Sequence, residues 1–289
     1  MHVCPAKVNL TLAVGRPRAQ DGYHPICSWM AAISLQDDLL IERAEGDSEF
    51  EIHWADDAPQ PSAIDWPIEK DLTFRAHAAL QEDAKRKLPV SVRLRKRIPV
   101  GAGLGGGSSD AAGMLLALNT VFDLGLSTER LSSIAQKLGS DVAFFIAGFG
   151  AAIAKGVGEQ LSAAPLTRPL DLALITPPLH CNTAAVYRAF DQTNPEATID
   201  ESCVHALSES TMLMDDELFN DLAEAAFAVE PRLREVHQAC QVAAARRVHV
   251  TGSGAAMFAI CRNEAEAHEV AAEIRKRAEV PALAVRTVG

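Results

Sequence analysis

The strongest constraint on the fold of this chain is a stretch of eleven residues, 99–109, in which five residues are glycines. An alternating run at 90–95 precedes it and predicts a strand, and an apolar, alanine-rich run at 110–119 follows it and predicts a helix. Because glycine has no Cβ, backbone N–H groups in such a loop can converge on one point. The unpaired N–H groups at a helix start favour an anion at the same place.

This arrangement predicts a cradle for the phosphates of a nucleotide. Ser108 and Ser109 are expected to be N-cap residues of the following helix, with hydroxyls that reach a phosphate. Lys96 belongs to a basic cluster ahead of the loop that would add positive potential, and it is included among the nucleotide-binding candidates. The other candidates are the loop residues themselves: Pro99, Val100, Gly101, Ala102, Gly103, Leu104, Gly105, Gly106, Gly107, Ser108 and Ser109.

Other glycine-loop interpretations fit less well. A Walker A loop ends in Gly-Lys-Ser/Thr, and no lysine follows the glycine triplet here. Gly101, Gly103 and Gly106 match the Rossmann pattern literally, but Asp123, which would be the ribose acid, lies in a turn and not at the end of a second strand. A flexible linker is disfavoured because the loop joins a regular strand to a helix.

Length and charge limit the class of protein. A chain of 289 residues is long enough for two domains or one large one. Its 48% hydrophobic and 22% charged residues are ordinary for a globular protein. The formal net charge of −11 argues against nucleic acid as a partner, because proteins that neutralise many phosphates are usually basic.

Cysteine usage and hydrophobic runs indicate the compartment. The six cysteines are scattered and none forms a C-x-x-C pair, which argues against a zinc or redox motif. The longest apolar stretch, 142–154, is too short to span a bilayer. Basic residues at positions 7, 16 and 18 interrupt any secretory segment. We therefore expect a cytoplasmic protein with no membrane partner.

Hydrophobic periodicity predicts an α+β fold in two domains, with a boundary near residue 160. Residues 1–160 would form an N-terminal domain containing the glycine loop, and 161–289 a C-terminal domain. The kinase resemblance described below implies that the first domain binds ATP and that the second lies on the side of the phosphoryl acceptor. The chain ends in a predicted strand–turn–strand–helix–strand order from 248 to 288, which is typical of a ferredoxin-like domain. Strands are predicted at 29–35 and 39–41, an irregular segment at 191–201, and a long helix over 212–228.

Three segments together resemble one kinase superfamily. Residues 99–112 resemble the phosphate-loop motif of the kinases named for galactose, homoserine, mevalonate and phosphomevalonate. Pro-Ala-Lys-Val-Asn-Leu at 5–10 is similar to the N-terminal motif of these kinases, and 250–258 to their glycine-containing C-terminal motif. The three segments lie in the expected order and span nearly the whole chain. The resemblance implies a two-domain small-molecule kinase that uses ATP with Mg²⁺ as a co-substrate complex.

Two further segments narrow the resemblance to one member of the superfamily. Asp-Gly-Tyr-His at 21–24 and Leu-Gly-Ser-Asp-Val at 138–142 resemble the member that phosphorylates a cytidine diphosphate-linked polyol in non-mevalonate isoprenoid precursor synthesis. There are departures from the pattern. Asp71 stands where asparagine is expected, and Asp110 stands where asparagine or alanine is common. Residues 180–183 are a loose version of an acceptor segment.

The resemblance assigns roles to single residues. An acid at a helix start is ordinarily explained by the helix dipole, but Asp141 matches the catalytic aspartate of the family and would orient and deprotonate an acceptor hydroxyl. Lys7 matches the lysine of the N-terminal motif and would pair with Asp141 and polarise the acceptor oxygen. Asn9, two residues along the same strand, would bind the acceptor diol.

The acceptor base is expected to meet aromatic residues. In the member resembled, the Tyr23–His24 pair helps to recognise cytosine, and Tyr187 would stack on the other face of the base. Thr183 would lie near the acceptor. The sequence assigns no metal ligand.

Two other functions remain open at this point. A sister kinase for mevalonate or homoserine would carry the same loop, and the Tyr23–His24 pair argues against it. A non-catalytic sensor of a nucleotide and a sugar-like ligand would not need Lys7 and Asp141, which are both present. The leading expectation is an ATP-dependent kinase acting on a hydroxyl of the cytidine-linked polyol.

Overall fold

The computed structural model of the protein describes residues 1–211 and 213–289, and it has the α+β composition that the sequence predicts. The strands are β1 His2–Val14, β2 Ile26–Arg43, β3 Glu49–Trp54, β4 Val90–Lys96, β5 Ala151–Gly156, β6 Gln160–Ala163, β7 Asp171–Ile175, β8 His249–Val250, β9 Met257–Cys261 and β10 Ala282–Arg286. The helices are α1 Leu72–Ala84, α2 Gly106–Val121, α3 Thr128–Ala135, α4 Val142–Ala147, α5 Thr183–Thr193, α6 Glu201–Glu209, α7 Ala223–Val229, α8 Pro231–Ala244 and α9 Glu264–Arg277. Short 3-10 turns lie at Ile68–Lys70 and Asp215–Glu217.

The chain forms two compact units whose segments alternate along the sequence. The first unit contains Met1–Ala6, Leu35–Val100 and Gly105–Gly148. The second contains Lys7–Ser34, Gly101–Leu104 and Phe149–Gly289. Strands β1 and β2 and the glycine-rich stretch therefore each contribute residues to both units. The assignment of ATP binding to 1–160 and of acceptor binding to 161–289 concerns roles, and it stays a prediction.

The first unit is a sheet covered by helices. Strand β4 pairs in parallel with β3 and antiparallel with residues 38–43 of β2. Its residues are alternately buried and exposed, so that Val90, Val92 and Leu94 face the core. Apolar residues of α1, α2, α3 and α4 complete this core. Lys96, the last residue of β4, continues the buried row and faces inward.

The second unit contains two groups of paired strands. Residues 26–31 of β2 pair antiparallel with β5, which pairs with β6. A separate four-stranded antiparallel sheet has the order β10-β7-β9-β8. Its core includes residues from β7, β9, α5, α7, α8 and α9. The predicted strand–turn–strand–helix–strand ending is confirmed by β8, β9, α9 and β10.

Polar side chains fix several helix starts in the way that local sequence chemistry predicts. Asp71 accepts from Thr73 N at the start of α1, and Ser127 accepts from Arg130 N at the start of α3. Asn182 and Asn263 do the same for α5 and α9. Among the described residues, no helix is long and apolar enough to cross a membrane.

Some predicted boundaries were wrong. The two strands expected at 29–35 and 39–41 are one continuous strand, β2, because no glycine or proline interrupts the run. The helix expected over 212–228 is shorter: its first residue lies outside the described residues, and the segment holds a 3-10 turn followed by α7. Helix α6 begins at Glu201, the last residue of the segment predicted to be irregular, and Asp200 supplies its N-cap.

Candidate active site

The glycine triplet begins a helix one turn earlier than predicted. Gly105, with φ of 71°, is the N-cap residue of α2, so Ser108 and Ser109 lie inside the first turn and are not N-caps. Glycine adopts the left-handed conformation at that place at little cost, which explains the early start of the helix. The first N–H groups of a helix lack intrahelical acceptors, and here they belong to Gly106, Gly107 and Ser108. This end of the loop can therefore hold an anion.

Ser109 has an unusual environment. It is 1% exposed, and its hydroxyl oxygen has no hydrogen-bond partner within the described part of the chain. A buried hydroxyl normally finds a partner, because leaving one unpaired costs free energy. Ser109 therefore keeps an unpaired hydrogen-bonding group at the start of α2 that a bound molecule can satisfy.

Asp141 follows a turn that lies beside the start of α2. A side chain built at Gly139 would come 3.8 Å from Ser108 Oγ, so the two segments are close. Asp141 is the N-cap residue of α4, yet its carboxylate makes no capping hydrogen bond to that helix. Capping alone therefore does not account for this acid. Its pairing with Lys7 stays a prediction.

In the second unit, residues Gly101–Leu104 are held by backbone contacts. Gly101 and Gly103 have positive φ, of 71° and 80°. A Cβ at Gly103 would lie 3.0 Å from the carbonyl oxygen of Gly254 and 3.1 Å from that of Thr251, so only glycine fits. Ala256 N donates to the carbonyl oxygen of Ala102 at 3.1 Å. The 251–254 turn, which looks like an ordinary connection in the sequence, thus packs on the glycine loop.

Lys7 and Asn9 lie side by side on β1, as their spacing predicts. Lys7 Nζ donates to Asn9 Oδ1 at 2.8 Å, and both residues are buried. Asn9 Nδ2 donates to Ser28 Oγ at 2.7 Å, and Asn9 N donates to Thr251 Oγ1 at 2.8 Å. Lys7 N also donates to the carbonyl oxygen of Leu104 at 2.9 Å. This network fixes the amide of Asn9 and ties the ammonium of Lys7 to it.

Lys96 lies in the core of the first unit between two acids. Its Nζ lies 2.6 Å from Asp37 Oδ2 and 2.6 Å from Asp110 Oδ2, and all three side chains are almost completely buried. Arg93, by contrast, lies on the exposed face of β4 and pairs with Glu51. The basic cluster is therefore divided between two faces of the strand. The role of Lys96 in ATP binding stays a prediction.

The other loop residues and Asp71 lie as follows. Pro99 is buried and Val100 is 51% exposed. Asp71, the departure from the superfamily pattern, caps α1 and accepts from Trp66 Nε1 at 3.1 Å. A Cβ at Gly107 would lie 3.3 Å from Leu72 Cδ1, so the start of α1 is next to the start of α2. The sequence did not single out Trp66.

His24 is held by an aromatic contact and a side-chain partner. Its ring stacks on Tyr187, and its Nε2 lies 3.0 Å from Asp191 Oδ1. Burial lowers the pKa of His24, and the carboxylate of Asp191 opposes that shift. Tyr23 is 66% exposed. Thr183 Oγ1 lies 2.9 Å from Ser253 Oγ, which joins the start of α5 to the 251–254 turn.

Two residues of this region have no individual role assigned from the sequence. Asp191 is paired with His24 across 167 positions of sequence, and no local pattern reveals such a pairing. His180 lies against the glycine loop, since a Cβ at Gly101 would come 2.8 Å from its Nδ1. No group of three or more His, Cys, Asp or Glu side chains that could hold a metal ion occurs among the described residues.

Two family models match the chain. The one described as "GHMP kinases N terminal domain" matches residues 71–149, and the one described as "GHMP kinases C terminal" matches residues 203–280. The chain also resembles a mevalonate kinase from L. major, with a TM-score of 0.70 and 13% identity over 99% of this chain and 95% of the other. At that identity the likeness concerns the fold, and it agrees with the predicted two-domain kinase architecture.

Full-length relatives carry a more specific name. A 4-diphosphocytidyl-2-C-methyl-D-erythritol kinase from Citrifermentans bemidjiense is 35% identical over 288 residues, 99% of this chain and 98% of the relative. One from Desulfitobacterium hafniense is 36% identical, covering 94% of this chain and 90% of the relative. A crystal structure of 4-(cytidine 5'-diphospho)-2C-methyl-D-erythritol kinase has a TM-score of 0.78 and 33% identity, over 99% of both chains. The resemblance expected from the short motifs is thereby confirmed, and the chain belongs to the 4-diphosphocytidyl-2-C-methyl-D-erythritol kinase family of the ATP-dependent GHMP kinases.

Proposed function

We propose that this protein transfers the γ-phosphoryl group of MgATP to the 2-hydroxyl of 4-diphosphocytidyl-2-C-methyl-D-erythritol, a step of non-mevalonate isoprenoid precursor synthesis. The observation that carries the proposal is 35% identity, along 99% of the chain, to a relative of that name. The geometry supports it, because Lys7 and Asn9 lie on β1, the glycine-rich stretch leads directly into α2, and Asp141 is the N-cap residue of α4. Mg²⁺ enters this reaction as part of the nucleotide substrate.

The glycine-rich stretch is the proposed phosphate cradle. The first turn of α2 presents N–H groups and the positive end of the helix dipole to the phosphates. The positive φ values of Gly101 and Gly103 turn the backbone where a side chain would block it. The unpartnered hydroxyl of Ser109 would gain its hydrogen bond from the nucleotide.

Asp141 is the proposed base, and Lys7 the proposed cation, for the acceptor hydroxyl. Phosphoryl transfer has a loose transition state, so holding the acceptor oxygen in line with the phosphorus atom matters as much as basicity. Lys7 would polarise that oxygen, and Asn9, which accepts from Lys7 and is fixed by Ser28, would orient the neighbouring diol. Asp141 would take the hydroxyl proton.

The cytosine is proposed to bind near His24 and Tyr187, with Tyr23 and Thr183 at the edges of the site. Stacking tolerates any base and contributes about 1–3 kcal/mol. Discrimination between cytosine and uracil must therefore come from hydrogen bonds to the pyrimidine edge, which leave buried groups unpaired when the wrong base binds. CMP or CDP should compete with the acceptor, and UMP should compete poorly.

We also propose a cytoplasmic location. All six cysteines are free thiols, which fits a reducing compartment. The partners would then be small molecules only, ATP and the cytidine-linked polyol.

The deciding experiment is incubation of the protein with ATP, Mg²⁺ and each candidate alcohol in turn, with ADP release and the phosphorylated product both measured. Phosphorylation of the cytidine-linked polyol, with inhibition by CMP, is the expected result. Phosphorylation of mevalonate or homoserine would replace the proposal with a sister kinase. Binding of ATP without turnover of any alcohol would indicate a sensor.

The phosphate cradle has its own test in Ser109→Ala. We expect weaker ATP binding, because the variant removes the hydroxyl that would bond to the nucleotide. We expect no loss of fold, because an unpaired buried hydroxyl costs about 1–3 kcal/mol and the variant removes it. Thr120→Val is the matched control, since it removes a hydroxyl bonded to Leu116 near the other end of α2. Unchanged ATP affinity in a folded Ser109→Ala protein would remove Ser109 from the cradle.

A further inference from the structure

The buried ion triad of Asp37, Lys96 and Asp110 joins the two ends of the glycine-rich stretch. Lys96 is the last residue of β4, just ahead of the stretch, and Asp110 is the fifth residue of α2, just after it. One ammonium binds a carboxylate oxygen of each acid at 2.6 Å. Asp37 also accepts from Arg97 N at 2.5 Å and Ile98 N at 2.8 Å. The triad therefore fixes the chain on both sides of the proposed cradle.

The two carboxylates of the triad are not equivalent. Asp37 receives three hydrogen bonds, whereas Asp110 receives one, from Lys96 to its Oδ2. Asp110 Oδ1 is buried and has no partner among the described residues. One ammonium cannot neutralise two acids, so full ionisation would leave one uncompensated negative charge in the core. Asp110 accepts fewer hydrogen bonds than Asp37, so Asp110 is the acid that removes the excess charge by taking up a proton.

The electrostatic surroundings of Asp110 agree with that choice. Burial raises the pKa of Asp110 to about 8, opposed by Lys96 and increased further by the charges of Asp37 and Asp71. The two carboxylates raise the pKa of Lys96 despite its burial, so the ammonium stays charged. Cys4, a thiol close to the triad, has its pKa raised well above its usual value by burial and stays neutral.

We propose that Asp110 is a positioning residue whose effect on the cradle depends on its protonation. When it is protonated, it completes a neutral triad beneath the cradle. When it is ionised, its negative charge opposes binding of the nucleotide phosphates. The inference rests on the proposed binding of ATP at the start of α2. A buried negative charge one residue after Ser109 lies on the same helix end that attracts the phosphates, and it reduces that attraction. Nucleotide binding and protonation of Asp110 therefore favour each other, because linkage between two binding events is reciprocal.

The test is the dissociation constant of MgATP, measured without acceptor between pH 7 and 9.5. The phosphates themselves are about nine-tenths ionised at pH 7 and more so above it, since the last pKa of a phosphate is about 6. Asp110→Asn keeps the size of the side chain and its acceptor for Lys96 but cannot ionise. Asp57→Asn is the matched control, because it removes an exposed carboxylate paired with Arg97 beside the same strand.

Wild type and Asp57→Asn should bind MgATP on the order of fivefold more weakly at pH 9.5 than at pH 7, and Asp110→Asn less than twofold more weakly. A second measurement needs no variant: calorimetry in two buffers of different ionisation enthalpy should show net proton uptake on MgATP binding near pH 8. The same pH dependence in Asp110→Asn and wild type, or binding without proton uptake, would overturn the inference while leaving the proposed function intact. Failure of every variant to bind MgATP at any pH would overturn both.

Discussion

The imidazole of His24 lies flat against the phenol ring of Tyr187, with 4.8 Å between the ring centroids and 15° between the planes. Phe190, one turn further along α5, meets the edge of the same imidazole at 6.3 Å. These contacts and the bond to Asp191 hold His24 in one orientation. Because the two rings touch directly, a base bound in this arrangement does not lie between them.

Asp191→Asn should lower the pKa of His24. The carboxylate of Asp191 favours the charged imidazolium and opposes the effect of burial, so its removal leaves burial unopposed. The measurement is an NMR titration of the His24 ring protons. His237, whose pKa is lowered mainly by burial, is an internal control and should titrate as before. An unchanged pKa for His24 would show that the Asp191 contact does not persist in solution.

His24→Ala should raise the KM for the acceptor much more than the KM for ATP. The ring is held on α5 by Tyr187 and Asp191, and none of its described contacts is to the glycine-rich stretch. Steady-state kinetics with each substrate varied in turn would measure the two effects. Phe74→Leu is a suitable control, since it alters an aromatic contact with Phe50 in the other unit. Equal increases in both KM values would contradict the assignment of His24 to the acceptor.

Asp141→Asn should remove most turnover and leave ATP binding nearly intact. The carboxylate makes no capping hydrogen bond to α4, so the variant should fold without loss of a helix cap. Initial rates and the dissociation constant of MgATP are the two quantities to compare. Asp200→Asn, which keeps a side chain able to cap α6, is the control. Turnover close to wild type would exclude Asp141 as the base.

Gly106→Val should destabilise the protein. A Cβ at Gly106 would lie 2.8 Å from Cγ2 of Ile98, which is 1% exposed, so a valine overpacks the core. We expect a loss of about 1–3 kcal/mol in the free energy of unfolding, measured in urea. A Cβ at Gly107 would contact Leu72 Cδ1 at 3.3 Å, so Gly107→Ala should have a free energy of unfolding close to that of wild type. Equal stability of the two variants would contradict this packing argument.

Asp110→Asn should gain stability relative to wild type as the pH rises. The pKa of Asp110 is about 8 in the folded protein and about 3.9 in an unfolded chain, so the folded state binds the extra proton between these values. The contribution of Asp110 to stability is therefore fully present below about pH 4 and is lost as the pH rises through about 8. Urea unfolding of both proteins at pH 5, 7 and 9 measures the difference. A constant difference at all three would contradict the raised pKa.

Local chemistry in the sequence was sufficient for much of the site. The glycine spacing predicted the cradle and the helix after it, although α2 begins at Gly106 instead of at the serines. The two-residue period of β1 placed Lys7 beside Asn9, and their hydrogen bond confirms it. These features depend on φ, strand alternation and helix-start preferences, which neighbouring residues determine.

The pairings between distant segments were decided only by the tertiary structure. Asn9 meets Thr251 across 242 positions, Lys96 meets Asp37 across 59, and His24 meets Asp191 across 167. Alternation along β4 directs Lys96 inward, but it does not say that two acids will meet it there. Such contacts depend on which strands and helices pack together, and in one sequence nothing local encodes that choice. The sequence by itself therefore determined the kind of site, and the packing of the core decided which side chains hold it in place.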